Sequence, residues 1–205
     1  MSATTLNPPA LGPPSLTGGN CGVVGGPDSL YEIIDGKKVE KPAMSTLSGV
    51  IASSLLQVIG PFCRSKNLGR AVMEVQFQFS PDARRSWRPD VAFVSYERWS
   101  REKPIPVKDP WDVVPDLAVE VQSPSNNDSI TRVRTRAFFL GGVRTVWILY
   151  PETREIYIYD SPTSVRVLQL GDTLEGGAVL PGFSTPLDLL FEDVPADVAD
   201  TLESQ

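Results

Sequence analysis

The run Val146-Trp147-Ile148-Leu149-Tyr150 is almost wholly apolar, and a strand apolar on both faces belongs inside a sheet that is covered on both sides. Its surroundings predict the cover. A helix is expected from Asp128, an N-cap candidate, to Leu140, with Gly141-Gly142 as its stop. Upstream, Met44, Leu47, Val50, Ile51, Leu55, Val58 and Ile59 recur at helical spacing until Gly60-Pro61, which predicts a helix over about 44–59. Between the helices, Val91–Val94 and Leu117–Val121 read as short strands, separated by a Trp-, Pro- and charge-rich loop from Trp99 to Pro115. Ala71, Met73, Val75, Phe77 and Phe79 alternate with Val72, Glu74, Gln76, Gln78 and Ser80, the period of one strand with one buried face. Hairpins are predicted at both ends: Tyr31–Ile34 with Lys38–Glu40 around Asp35-Gly36, and Glu155–Asp160 with Ser164–Leu170 around Ser161-Pro162. This order predicts an α/β (α+β) fold with one mixed central sheet flanked by few helices.

A chain of 205 residues with 41% hydrophobic content can bury one substantial core, so a single domain is expected over residues 28–192. Residues 1–27 hold five prolines and six glycines without periodicity and are expected to form a disordered leader. Residues 193–205 read as an acidic tail. The leader has neither the basic nor the apolar region of a signal peptide, and no later run approaches the length of a membrane span. A cytoplasmic protein without a membrane partner is the expectation.

Histidine is absent, which excludes hydrolases with a histidine base and histidine-metal nucleases. Cys21 and Cys63 lack the spacing of a zinc site. Catalysis must therefore come from carboxylates, Lys or Arg, hydroxyls or a cofactor. A net charge of −6 argues against a binder that uses its whole surface for nucleic acid. Arg84, Arg85, Arg88, Arg98, Arg101, Lys103 and Lys108 crowd one stretch, but the acids interleaved with them make it read first as a solvated, mixed surface.

Asp90 stands at the mouth of one apolar strand and Glu120 inside another, where an unpaired carboxylate is costly. Alternation puts Leu117, Val119 and Val121 on one face, and Ala118, Glu120 and Gln122 on the other. If the strands are neighbours, the two acids converge on a hard cation such as Mg²⁺ or Mn²⁺. Spacing alone equally allows a turn acid at Asp90 and an ion pair of Glu120 with Arg134 or Arg88.

The ordered set Tyr31–Gly36, Arg88–Val94, Pro115–Ser125, Gly142–Trp147 and Leu180–Phe183 resembles a large bacterial restriction-endonuclease family of the PD-(D/E)xK superfamily, over about residues 28–191. The resemblance implies a restriction-endonuclease-like core and a metal-dependent DNA endonuclease. Pro89-Asp90 matches the motif's PD, Glu120 its second acid, and Gln122 stands where the motif has lysine. In many members the missing lysine has moved to the following helix, and here that position holds Arg134. With Ile130 at zero and about 100° per residue, Val133, Ala137, Phe138 and Leu140 span an apolar arc of roughly 160° with Arg134 inside it. A buried guanidinium needs a partner, so Arg134 is expected to contact Asp90 or Glu120.

In this reading Asp90 and Glu120 hold the metal, Gln122 orients a water and Arg134 stabilises the phosphate, with Glu40 and Glu74 as possible additions to the site. Ser123-Pro124-Ser125 reads as a turn and cap rather than a nucleophile. A homodimer is expected, because two symmetric sites are the simplest way to cut both strands of a duplex. Two alternatives stay open: a catalytically silent module of this fold that binds nucleic acid or a protein partner, and other carboxylate-metal chemistry.

Overall fold

A computed structural model describes residues 30–80, 82, 84–123 and 128–195. The expectations for the leader, for residues 196–205 of the tail and for Pro124-Ser125 lie outside the described residues. The opening hairpin forms as expected, with β1 (Tyr31–Ile34) antiparallel to β2 (Lys37–Glu40). Helix α1 runs Thr46–Ser65, and its N-cap Ser45 accepts from the Ser48 backbone N–H at 3.1 Å. The predicted stop at Gly60-Pro61 does not end it: Pro61 lies inside the helix, whose last turn buries Cys63 and sets Phe62 edge-on to Phe183 at 5.3 Å. That packing offsets the hydrogen bond the proline removes. At 20 residues α1 is long and apolar enough to cross a membrane, contrary to the expectation that no run approaches that length. Its Ile51, Leu55, Ile59 and Cys63 are nevertheless buried in the core of this domain.

The strand expected over 71–79 is two. β3 (Gly69–Met73) joins the main sheet, Glu74 turns the chain with φ 56°, and β4 (Phe77–Gln78) pairs in a second sheet. The second sheet has the order β2-β1-β5-β4 through β5 (Ser86–Trp87), a two-residue strand that the sequence reading left out. The 99–115 loop is anchored to it, with the Trp111 N–H donating to the Gln76 carbonyl at 2.8 Å and Trp111 edge-on to Trp99.

The remaining elements are β6 (Val91–Ser95), β7 (Leu117–Val121), α2 (Asp128–Gly141), β8 (Thr145–Tyr150), β9 (Glu155–Ser161), β10 (Ser164–Leu168), β11 (Thr173–Glu175), β12 (Ser184–Pro186) and α3 (Leu187–Leu190). The six-stranded main sheet has the order β10-β9-β8-β7-β6-β3, with β7 and β8 parallel and every other pair antiparallel. The α1 face carries Val91, Phe93, Val119, Trp147 and Leu149; the α2 face carries Ala92, Val94, Ala118, Val146 and Ile148 under Phe138, Trp87 and Trp111. The expected mixed sheet with few helices is the one observed. Gly142, at φ 101°, ends α2 where the sequence placed its stop.

Gly69 shows how tightly β3 meets β6. A Cβ there would lie 2.2 Å from the Val94 carbonyl oxygen and 2.7 Å from the Phe93 ring. Gly69→Ala is therefore expected to cost about 1–3 kcal/mol by overpacking against backbone that cannot yield. A urea midpoint equal to wild type would contradict this.

Candidate active site

The pairing of β6 with β7 sets Val91 opposite Val119 and Phe93 opposite Leu117; one step further along that register Asp90, just before β6, falls across from Glu120, close enough for its charge to act on it. The two strands are neighbours, as convergence of the acids required. Asp90 is buried, and its Oδ2 accepts from the Val121 backbone N–H at 2.7 Å, which fixes the carboxylate plane. Its Oδ1 accepts from Lys41 Nζ at 2.7 Å, and the same ammonium donates to Glu74 Oε1 at 2.8 Å. Lys41 follows β2, so the opening hairpin delivers a cation to the strands that carry the acids.

Glu120 meets the second cation. Arg134 Nη2 donates to Glu120 Oε1 at 2.8 Å, so the guanidinium on the apolar arc of α2 reaches a site carboxylate as expected. It also forks onto Glu32 of β1, Nη1 to Oε2 at 2.5 Å and Nη2 to Oε1 at 3.0 Å. Glu32 Oε1 accepts in addition from the Arg88 backbone N–H at 2.9 Å. The faces of Trp87 and Phe138 lie 5.2 and 5.6 Å from the guanidinium carbon, enclosing it in aromatic surface. Ile130 and Leu140, counted in the apolar arc, are exposed; Thr131 and Thr135 are buried in their place, with their hydroxyls bonded to Gln122 Oε1 and to the Thr131 carbonyl.

Gln122, at the motif's lysine position, thus turns its amide oxygen to α2, 2.9 Å from Thr131 Oγ1. Glu74 is brought to the site through Lys41. Glu40 is not: it lies exposed on β2, and the next residue along makes the contact. Arg88 fixes Glu74 from behind, donating to its carbonyl through Nη1 and pairing with Asp109 through Nη2 at 2.9 Å.

Sequence reasoning missed Lys41 and Glu32. Glu32 carries the signal used for Glu120, an acid flanked by apolar strand residues, and could have been found by it. Nothing local distinguishes Lys41 from Lys37 or Lys38.

Lys41, Ser45, Asp90, Glu120, Gln122 and Arg134 line a cleft of about 680 Å³, with Glu32 and Glu74 behind its wall. Burial pushes the Glu120 carboxyl up to about 7, with Arg134 opposing and Asp90 reinforcing the rise. Burial likewise holds Glu74 above the ordinary carboxylate range against the pull of Lys41. Burial disfavours the Lys41 charge, but Asp90, Glu120 and Glu74 outweigh it and its pKa is raised. Lys41 is therefore a fixed cation at neutral pH and not a base.

Four carboxylates, Glu32, Glu74, Asp90 and Glu120, share the two cations Lys41 and Arg134. Glu74 Oε2 is buried without a hydrogen-bond partner. The site is short of positive charge and offers only oxygen donors. Among the described residues no three His, Cys, Asp or Glu side chains form a metal-binding group. Mg²⁺ is commonly held by one or two carboxylates and keeps its waters, so the Asp90–Glu120 pair fits such an ion.

Residues 24–189 match the model of the Uma2 family, described as "Putative restriction endonuclease". The chain belongs to the Uma2 family. Membership places it in the nuclease class of hydrolases. A crystal structure of "a putative nuclease belonging to DUF820" from Anabaena variabilis is similar, with a TM-score of 0.65 at 19% identity, covering 79% of this chain and 89% of that one. That likeness shows the restriction-endonuclease-like fold for this Uma2 chain. No curated protein matches it.

Proposed function

We propose that this Uma2 protein is a Mg²⁺- or Mn²⁺-dependent DNA endonuclease in which Asp90 and Glu120 hold the metal. The observation that carries the reading is the pair itself: two carboxylates on facing strand positions at the wall of a cleft short of positive charge. When bound, such a cation supplies charge at the scissile phosphate and a water of lowered pKa.

The chain's own groups have separable tasks. The Val121 N–H orients Asp90. Arg134 fixes the Glu120 carboxylate and balances its charge; with both terminal nitrogens on Glu32 and Glu120, it is a positioning residue rather than the phosphate ligand expected from sequence. Phosphate stabilisation passes to Lys41, a compact point charge on a flexible stem that can donate to a non-bridging oxygen. Gln122, its amide oxygen held by Thr131, keeps its NH₂ group as the donor that would orient a water.

Purified protein is expected to nick supercoiled plasmid with Mg²⁺ or Mn²⁺ and not with EDTA. Tight metal-independent DNA binding without cleavage would replace this reading with that of a silent module.

A further inference from the structure

We propose that Lys41 is an exchangeable counter-ion: it holds Asp90 Oδ1 until a divalent cation takes that oxygen, and is then retained by Glu74. This rests on the metal-dependent reading above. Asp90 Oδ2 is committed to the Val121 N–H, so Oδ1 is the oxygen open to a cation, and Lys41 Nζ already stands 2.7 Å from it. An ammonium and a divalent ion crowded on one carboxylate oxygen repel each other strongly in a buried site. Lys41 must give way.

Its second anchor is built for that move. Glu74 Oε1 holds the ammonium at 2.8 Å, while Glu74 Oε2 is buried with no hydrogen-bond partner and can accept another N–H as Lys41 swings off Asp90. Glu74 is no chance neighbour. A non-glycine residue at φ 56° is held there by its N–H donating to the Asp90 carbonyl at 3.1 Å and by the Arg88 guanidinium on its own carbonyl. The Lys41 backbone stays tied to the Leu30 carbonyl at 2.9 Å, so its side chain alone has to travel. The exchange keeps the apo cleft from holding unpaired buried carboxylates, and leaves Lys41, still held by Glu74, with an N–H to spare once the metal is seated.

The test is Mn²⁺ affinity, measured by calorimetry on the full chain as wild type, Lys41→Met, Glu74→Gln and the double variant, with Asp90→Asn as reference and Lys41→Gln in reserve should the methionine variant misfold. Lys41→Met is expected to bind Mn²⁺ more tightly by about tenfold, on the scale of outer-shell effects on metal sites. Glu74→Gln is expected to weaken binding when Lys41 is present and to change it little when Lys41 is absent, because its part is to retain the lysine. If Asp90→Asn loses Mn²⁺ while Lys41→Met binds no more tightly than wild type, the exchange is overturned and the metal site stands. Equal effects of Glu74→Gln in both backgrounds overturn it too. Wild type and Asp90→Asn binding Mn²⁺ equally would overturn the metal-dependent reading, and the exchange with it.

Discussion

Asp90→Ala is expected to lower metal-dependent plasmid cleavage by on the order of a thousandfold, the scale on which preorganised electrostatic contacts act. The side chain removed faces Glu120 across β6 and β7, holds one end of Lys41 and accepts the Val121 N–H. Its loss leaves that buried donor unmet, which costs about 1–3 kcal/mol of stability. Asp90→Asn separates the two effects. The amide oxygen can still accept from Val121, so the stability loss should be smaller while cleavage remains abolished. Cleavage by Asp90→Asn within a few-fold of wild type would show that the carboxylate charge is not used.

Arg134→Ala should be the most destabilising single change at the site, by about 3–5 kcal/mol, because it strands two buried carboxylates rather than one. Glu32 and Glu120 have side-chain exposures of only 4% and 10%, so neither carboxylate is well hydrated where it stands. The penalty should depend on pH. Glu120 has a folded pKa near 7, above its ordinary 4.5, so its ionisation opposes folding increasingly as pH rises from about 4.5 to 7. Without Arg134 the opposition grows, and the stability gap between wild type and Arg134→Ala should narrow as pH falls from 8 to 5. A gap constant over that range would contradict the assignment. One ammonium cannot reproduce the fork that bridges both Glu32 oxygens and Glu120. Arg134→Lys is expected to fall between wild type and alanine in both melting temperature and cleavage.

The legible parts of the fold were those where a local pattern decides the outcome. Alternation on β7 put Glu120 and Leu117 on the correct opposite faces, and the glycines at 141 and 142 ended α2 where they stand. The break at Glu74 was invisible because the side chains keep alternating on both sides of it. The change there is a left-handed backbone angle at a residue type that gives no warning of it. The end of α1 failed for a different reason: Gly60-Pro61 is a true breaker locally, and distant packing, of Cys63 into the core and of Phe62 on Phe183, makes continuation worthwhile. At the site, a buried acid announces itself by its apolar neighbours, which is why Asp90 and Glu120 were found. Lys41 has no such mark, since a lysine beside a turn is ordinary until the sheet that receives it is known.

The bridge from Arg134 to Glu32 spans 102 residues of chain, and that from Lys41 to Asp90 spans 49. On a ribosome adding about 5–20 residues per second, Glu32 is made several seconds before the guanidinium that will neutralise it. Until then the opening hairpin carries an acid with no reason to leave water. The hairpin is therefore expected to dock late, after β7 and α2 have come together, with the candidate cleft closing among the last events in folding. Contacts made that late slow unfolding more than they speed folding. On that order of assembly, the ion cluster around Asp90 and Glu120 would also serve as a latch on the finished domain, and its loss would speed unfolding.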